Sequence, residues 1–372
     1  MTTPNETPSV EPVAYARLSP AIFRCAGIAA ILAIACILPF AVSGYRVSQF
    51  SQVLIYAIAM LGLNILTGFN GQISLGQGAF YGIGAYTTAI LLDKTAIPYW
   101  AAVPIAGAIC LGAGFLFGLP ALRLEGLYLA LATLALAVAT PQILKFKGFD
   151  HWTGGVQGIQ VDLPGAPFGL PLNTDRWIYY FCLIWTIGLV IIARNLLRGR
   201  TGRAMIAIRD HPLAAATMGV DIALYKSLTF GVSAMYTGIA GALGALLSAY
   251  VSPDSFPVFL SIKFLVGSVV GGIVSISGAF IGALFIEFTP NFADQLSKAA
   301  PDAIFGMFLI ALMYLMPKGA IGVLGFLRAR FRQVAVAKNI LLEPTGNLAE
   351  NGEGFRRRGA KRSQGAARIS KE

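Results

Sequence analysis

Apolar stretches, each long enough to cross a lipid bilayer, recur along most of this 372-residue chain. A hydrocarbon core of about 30 Å takes roughly 20 helical residues. We therefore predict crossing segments near 21–42, 50–68, 72–92, 100–118, 122–144, 177–197, 226–250 and 303–317. Charged residues make up only 12% of the chain, against about 25% in soluble domains. The short alternating segments of a β-barrel are not evident, so the sequence predicts an all-α, polytopic membrane helical bundle.

The apolar stretch 258–290 is too long for one straight crossing and marginal for two. Residues 194–226 carry six basic side chains and the region from Phe326 onward carries eleven. An excess of Lys and Arg marks the cytoplasmic side, so an even number of crossings must separate these two regions. This favours two crossings, near 258–272 and 275–290. We predict about ten transmembrane helices with both termini in the cytoplasm.

The two ends of the chain differ in composition from its middle. Residues 1–20 are rich in Pro and Thr and lack the basic region of a signal peptide. Residues 326–372 are basic and polar. We predict a disordered cytoplasmic N-terminus at 1–20, a transmembrane domain at 21–325 with a cytoplasmic loop at 194–226, and a disordered cytoplasmic tail at 326–372. The tail is expected to be attracted to anionic membrane lipid, not to nucleic acid.

The segment "LTGFNGQISLGQGAFYGIGAY" at 66–86 combines six glycines with several amides inside an apolar region. Backbone that leaves a helix at membrane depth persists only where protein or a water-filled cavity satisfies it. Glycines favour close helix packing, whereas uncharged amides offer hydrogen bonds to a polar solute. We predict both at once, a broken or re-entrant segment beside a translocation path. The candidate path residues are Asn64, Asn70, Gln72, Ser74, Gln77 and Thr133.

The loop "GRTGRAMIAIRDHPLAAATMGVDIALYK" at 199–226 contains the signature of a short helix. Asp210 or His211 can cap a helix that begins at Pro212, because proline suits the first helical position. Gly219 is placed to end it. A helix of about two turns is not stable alone in water, so it needs a partner surface. An ordinary surface loop is the alternative.

Catalytic and metal sites are not predicted. The four cysteines lie in apolar stretches without a CxxC pair and are expected to be buried as small hydrophobic side chains. The two histidines, His151 and His211, are predicted in loops on opposite faces, and Ser277 has no histidine after it to act as a base. No "GxxxxGK[ST]" motif is present, so this chain does not cradle ATP phosphates.

Three separated motifs resemble the LivM-type permease subunits of branched-chain amino acid ABC importers. They are "LNILTGFNGQISLGQGAFYGIGAY", "RLEGLYLALATLALA" with "TGGVQGIQV", and "GRAMIAIRDHPLAAATMGVDIALYK". The second motif matches the family at Gly126, Leu127, Tyr128, Leu129, Ala130, Thr133, Leu134, Ala135 and 153–155. The resemblance covers roughly residues 50–320 and implies the permease fold of ABC importers.

The resemblance also implies a function and partners. Such a permease imports leucine, isoleucine, valine or similar small neutral solutes across the bacterial inner membrane. It works with a second, LivH-like permease, two ATP-binding cassette subunits and a periplasmic solute-binding protein. It is not an enzyme and binds no cofactor itself, because ATP is bound and hydrolysed by the partner subunits.

The loop helix is similar to the "EAA…G" coupling motif of importer permeases. Ala214, Ala215 and Gly219 match this motif, but Leu213 stands where the family has glutamate. A hydrophobic plug into the ATPase is therefore expected in place of a salt bridge. The predicted coupling residues are Arg209, Asp210, His211, Pro212, Leu213, Ala214, Ala215 and Gly219.

Two other transport functions are alternatives. An ion-coupled secondary transporter of small neutral solutes would place ionisable residues within its spans, where Glu125, Lys263, Glu287 and Asp302 are the candidates. We interpret Glu125 and Asp302 as near segment ends, Lys263 as snorkelling and Glu287 as structural. An ABC permease for urea or short amides is the second alternative, because in such systems the binding protein selects the solute.

Overall fold

A computed structural model describes residues 20–95, 97–124, 126–162, 165, 173–296, 306–311, 314 and 319–322. Its helices are α1 (Pro20–Ala41), α2 (Gly44–Leu63), α3 (Gln77–Thr95), α4 (Tyr99–Ala121), α5 (Leu127–Leu144), α6 (Asp150–Thr153), α7 (Thr174–Arg198), α8 (Arg200–Asp210), α9 (Pro212–Thr217), α10 (Ile222–Ser248), α11 (Val258–Gly271) and α12 (Ile276–Leu296). The predicted all-α, polytopic bundle is confirmed. Six helical segments in the described ranges are long and apolar enough to cross a membrane, and the count of ten stays a prediction.

The bundle has two distinct ends, joined by α10. The strands β1 (Ile159–Gln160) and β2 (Tyr250–Val251) pair antiparallel, with Ile159 opposite Val251. We call this the ribbon end. The short helices α8 and α9 precede α10, and we call their end the loop-helix end. Because α10 has 27 residues and rises 1.5 Å per residue, it separates the two ends by about 40 Å.

Helix α10 lies at the centre of the bundle and packs against α2, α3 and α4. Its central part is built from small residues, which let neighbouring backbones approach closely in a membrane protein. At the crossing with α3, a methyl group on Gly84 would collide with the backbone carbonyl of Gly238. The predicted packing function of the glycines in 66–86 is therefore observed at this crossing.

Helix α1 is attached to the rim of the bundle through α7. Pro39 has no N–H group to donate to the carbonyl of Ala35, four residues earlier. The hydroxyl of Tyr179 donates to that carbonyl oxygen at 2.9 Å, and the hydroxyl of Tyr180 donates to the Cys36 carbonyl at 2.7 Å. Tyr179 thus replaces the hydrogen bond that the proline removes, and Tyr180 adds a second bond between α7 and α1.

Two expectations are wrong, one about the burial of a cysteine and one about the start of a helix. Cys36 is exposed, because α1 contacts the bundle on one side only, whereas Cys110 and Cys182 are buried as predicted. The Cys25 side chain lies outside the described residues. Helix α2 begins at Gly44, six residues before the predicted segment 50–68, since no breaker follows that glycine in "GYRVSQF".

The stretch 258–290 divides into α11 and α12, as predicted, with a non-helical break at 272–275. The predicted segment 303–317 is described only at 306–311 and 314, which are helical. Residues 1–19 and 323–372 lie outside the described residues. They include all of the predicted N-terminal segment 1–20 except Pro20, and the whole of the predicted basic tail. The partition into these terminal regions and a central domain stays a prediction.

Candidate functional site

The broken segment lies between α2 and α3. A π-helical turn, Asn64–Phe69, continues α2, after which residues 71–76 are non-helical and α3 begins at Gln77. The predicted break is confirmed, although the helix predicted from residue 72 begins five residues later than expected. Residues 72, 74 and 76 are buried within the protein, the environment that non-helical backbone requires at membrane depth. The π-helical geometry is itself frequent at functional sites.

Hydroxyl groups of two neighbouring helices and of the break itself accept hydrogen bonds from the backbone around the break. The N–H of Leu75 donates to Thr133 Oγ1 of α5 at 2.9 Å, and the N–H of Gly78 donates to Ser261 Oγ of α11 at 2.8 Å. The N–H of Gly76 donates to Ser74 Oγ at 3.2 Å. These N–H groups belong to the start of α3 and the residues before it, which have no partner within a helix. Thr133 and Ser74 therefore have a structural function.

Two further candidate path residues bridge separate parts of the chain. Gln77 Nε2 donates to Ser233 Oγ at 3.0 Å, and the Thr237 hydroxyl donates to Gln77 Oε1 at 2.5 Å. Asn64 Nδ2 donates to the backbone carbonyl of Ser275, in the break between α11 and α12, at 3.0 Å. These amides hold the breaks in position, and a role in contacting solute stays a prediction.

Asn70 and Gln72 have buried side-chain atoms without a partner. Both are buried, with 2% and 9% of their surface exposed. Neither the Nδ2 nor the Oδ1 of Asn70 has a hydrogen-bond partner in the protein, whereas Gln72 and Asn64 each have one unpaired side-chain oxygen, Oε1 and Oδ1. Unpaired buried polar atoms are rare in folded proteins and call for an explanation.

Asn70 and Gln72 line a cavity of about 180 Å³ at the loop-helix end. The cavity lies between the break, the turn from α4 to α5, and the helices α8, α9 and α10. Its other lining residues are Gly71, Leu124, Gly126, Leu129, Ile208, Arg209, Pro212 and Lys226. Sequence analysis missed Leu124, Ile208 and Lys226 as members of a common site, because they are distant from the break along the chain.

The loop helix α9 agrees with its prediction in extent but not in capping. It begins at Pro212 and is followed by Gly219, whose φ of +82° is readily adopted by glycine at a helix C-terminus. His211 occupies the N-cap position, but its side chain makes no capping hydrogen bond. The Asp210 carboxylate instead accepts a 2.9 Å hydrogen bond from Arg209 Nε. The predicted side-chain cap of α9 is therefore wrong, because the Asp210 carboxylate is bound by the Arg209 guanidinium and the His211 side chain makes no capping bond.

Helix α9 contacts the rest of the protein through Ala215 and exposes its larger apolar side chains. Ala215 is buried, whereas Leu213 and, just after the helix, Met218 are 84% and 87% exposed. Pro212, Ala214 and Gly219 are also exposed. The helix therefore presents an apolar surface away from the bundle.

Arg209, predicted as a coupling residue, contacts the broken segment. Its Nη1 donates to the backbone carbonyl oxygen of Gly68 at 2.8 Å. Arg209 therefore belongs to α8, lines the cavity and donates a hydrogen bond to the π-helical turn. The residues predicted for the path and those predicted for coupling, which are distant in sequence, meet at this side chain.

Of the ionisable residues considered for a secondary transporter, Lys263 and Glu287 lie in the described part of the chain, and they interact electrostatically with each other. Lys263 Nζ lies 5.1 Å from the centroid of the Phe259 ring, and Glu287 is partly buried on α12. Glu125 and Asp302 lie outside the described residues. His151 is exposed near the ribbon end. Within the described ranges, no group of three His, Cys, Asp or Glu side chains is arranged to hold a metal ion.

The profile of one protein family, described as "Branched-chain amino acid transport system / permease component", matches residues 45–317. The chain belongs to this family. The matched residues include the broken segment, the residues that line the cavity, and the helices α8 and α9. The resemblance to LivM-type permeases is confirmed, and the protein is a multi-pass membrane protein.

Named relatives agree with this assignment. The permease is 31% identical over 313 residues to the high-affinity branched-chain amino acid transport system permease protein LivM of Salmonella typhimurium, covering 78% of this chain and 73% of the relative. It is 24% identical over 288 residues to LivH of Escherichia coli and 25% identical over 282 residues to BraD of Pseudomonas aeruginosa. Each of these two alignments covers 72% of this chain and 91% of the relative. No solved structure matches the chain significantly.

Proposed function

We propose that this permease is a membrane-spanning subunit of an ATP-driven importer of leucine, isoleucine and valine. The observation that carries the proposal is the exposure of Leu213 on α9 and of Met218 just after it. Both apolar side chains face away from the bundle. Exposed apolar side chains on so short a helix are expected to be covered by another protein. The relatives are named as components of transport systems, which supports a separate subunit as that partner.

The covering partner is a pair of ATP-binding cassette subunits at the cytoplasmic face. Helices α7 and α8 carry Arg194, Arg198, Arg200 and Arg203 near the loop-helix end. This concentration of arginine supports a cytoplasmic position for the loop-helix end, and hence for both termini. In the bound state, Leu213 and Met218 insert into a groove of one ATPase subunit.

Transport follows from movement of α9 when the ATPase subunits close. The contact between Arg209 and Gly68 carries this movement to the π-helical turn and the break that follows it. Because Asn64 connects the same turn to Ser275, the movement reaches the break between α11 and α12 as well. Rigid helices that reorient around two breaks open the path to alternate sides of the membrane.

The other partners are a second, LivH-like permease beside this chain and a periplasmic solute-binding protein at the ribbon end. Relatives named LivM and LivH both match this chain, which supports pairing of two similar permeases. The binding protein selects the solute. This chain has no catalytic function and binds no cofactor, since ATP is hydrolysed by the partner subunits.

The proposal is tested by reconstituting the chain with the gene products encoded beside it into proteoliposomes. Uptake of labelled leucine should require both ATP on the side of the loop helices and the solute-binding protein outside. Urea and acetamide serve as competing solutes that identify the amide-transport alternative. Uptake by this chain alone, driven by a proton or sodium gradient without ATP, would overturn the proposal in favour of a secondary transporter.

A further inference from the structure

We infer that the surface formed by Phe259 and Lys263 of α11 with Leu284 and Glu287 of α12 packs against the second permease and not against lipid. We call this surface the α11–α12 face. The inference rests on the proposed function and assigns the LivH-like partner a place on this chain. It uses two charged residues that neither the candidate path nor the coupling helix includes.

Glu287 lies near the middle of the membrane. It follows Ile276, where α12 begins beside the break, by eleven helical residues, which rise about 16 Å. Glu287 interacts electrostatically with Tyr56 of α2. Tyr56 is twelve residues from Gly44, where α2 begins, and twelve from Gly68 in the π-helical turn, or about 18 Å from each. Both measures place the carboxylate far from either surface of a hydrocarbon core of about 30 Å.

The charges of Lys263 and Glu287 are incompletely paired within this chain. They interact electrostatically, but no salt bridge between them is formed in the described structure. Lys263 Nζ lies 5.1 Å from the centroid of the Phe259 ring, and no described residue donates a hydrogen bond to the Glu287 carboxylate. Both side chains are partly exposed. A lysine can extend its ammonium toward the membrane surface, whereas the shorter glutamate cannot.

A charged side chain that faced lipid at this depth would be costly, so such residues face protein or a water-filled cavity. The exposed surfaces of other helices show the contrast. Helices α4 and α5 contain no Asp, Glu, Lys or Arg, and neither do residues 177–193 of α7. Those apolar surfaces suit lipid. The α11–α12 face, with its two charges, is suited to contact with protein.

A membrane-spanning partner is needed to cover this face. The ATPase subunits and the solute-binding protein lie outside the hydrocarbon core and do not reach its middle. A second permease has spans at the same depth, and relatives named LivM and LivH both match this chain. A hydrogen-bond donor or basic side chain on such a span would bind the Glu287 carboxylate through a charge-assisted hydrogen bond.

Photo-crosslinking of the assembled importer in native membranes tests this inference. The photoreactive amino acid p-benzoylphenylalanine replaces Phe259 or Leu284, which are 44% and 41% exposed and lie one helical turn from the charged residues. The control position is Ile184 of α7, which is 65% exposed. Different affinity tags distinguish the two permeases. We expect the α11–α12 face to form at least about fivefold more product with the second permease than position 184 does, because lipid surrounds an apolar face.

A substitution at Glu287 tests the polar contact itself. Glu287→Leu should lower co-purification of the second permease at least about tenfold, because the partner's donor is left unpaired. Glu287→Gln keeps an acceptor oxygen and should restore most of the association. Thermal unfolding of each purified variant identifies a folding defect. The cross-linking measurement retains Glu287 and therefore does not depend on how the variants fold.

The inference is overturned if neither Phe259 nor Leu284 forms a product with the second permease, or if Ile184 forms as much. A product between two copies of this chain in its place, or undiminished co-purification with well-folded Glu287→Leu, would also overturn it. ATP-dependent leucine uptake without cross-linking from this face rejects the inference alone. Cross-linking to the second permease without ATP-dependent uptake rejects the importer function instead.

Discussion

The guanidinium of Arg209 donates a 2.8 Å hydrogen bond to the backbone carbonyl of Gly68, which lies 141 residues earlier in the chain. Arg209 lies in the last turn of α8, and Gly68 belongs to the π-helical turn that precedes the break in the membrane domain. This hydrogen bond is a direct connection between the surface proposed to bind the ATPase subunits and the segment proposed to reorient during transport.

Replacing Arg209 by Gln should uncouple ATP hydrolysis from transport. The shorter amide does not reach Gly68 with the same geometry, so a charge-assisted hydrogen bond worth about 1.5–3 kcal/mol is lost. In proteoliposomes, we expect the ratio of leucine imported to ATP hydrolysed to fall at least about fivefold. Arg203→Gln is the control, because Arg203 makes only a long, exposed contact with the Arg198 carbonyl. An unchanged ratio in Arg209→Gln would show that this contact does not transmit movement.

Replacing Leu213 by Asn should weaken association with the ATPase subunits without unfolding the permease. Leu213 is 84% exposed, so the substitution is expected to change stability by no more than about 0.5 kcal/mol. Co-purification of ATPase subunits with the tagged permease should fall at least about fivefold. Val156→Asn, an exposed apolar position near the ribbon end, should leave co-purification unchanged. Equal recovery with both variants would contradict a docking function for α9.

Replacing Gln77 by Leu should destabilise the start of α3. The substitution leaves the Ser233 hydroxyl without the donor Gln77 Nε2, whereas the Thr237 hydroxyl loses Gln77 Oε1 but keeps the Ser233 carbonyl as an acceptor at 3.0 Å. Each buried polar group left unpaired costs about 1–3 kcal/mol. We expect thermal unfolding of the purified protein to shift down by several degrees. Gln142→Leu, an exposed glutamine on α5, should show no comparable shift, and similar behaviour of the two variants would exclude a structural function for Gln77.

Replacing Gly84 by Ala should disturb the crossing of α3 and α10. The added methyl group would collide with the Gly238 carbonyl, and overpacking of this kind costs about 1–3 kcal/mol. Gly112→Ala on α4 is a matched control, since a methyl group there meets no atom within 4 Å. A decrease in thermal stability is expected for Gly84→Ala only. If Gly112→Ala is equally destabilising, the crossing does not explain the loss, since alanine is the better helix former at both positions.

The amino-acid sequence predicted the membrane class, the broken segment and the loop helix correctly, because these features depend on local chemistry. A long apolar run indicates a crossing, glycines and amides inside such a run indicate a break, and Pro212 with Gly219 delimits a short helix. The division of 258–290 into two helices was also predicted, since the alternation of basic loops across a membrane constrains the number of crossings.

The tertiary structure alone decided which polar side chains are satisfied and which remain unpaired. Gln77 and Asn70 have similar side chains and lie seven residues apart, yet the first binds two hydroxyls of α10 and the second has no partner in the protein. Hydrogen bonding requires donor and acceptor to meet within about 3 Å, so the partner of each amide depends on how distant helices pack. The contact between Arg209 and Gly68 likewise results from the arrangement of the bundle, because residues 141 positions apart have no local interaction that brings them together.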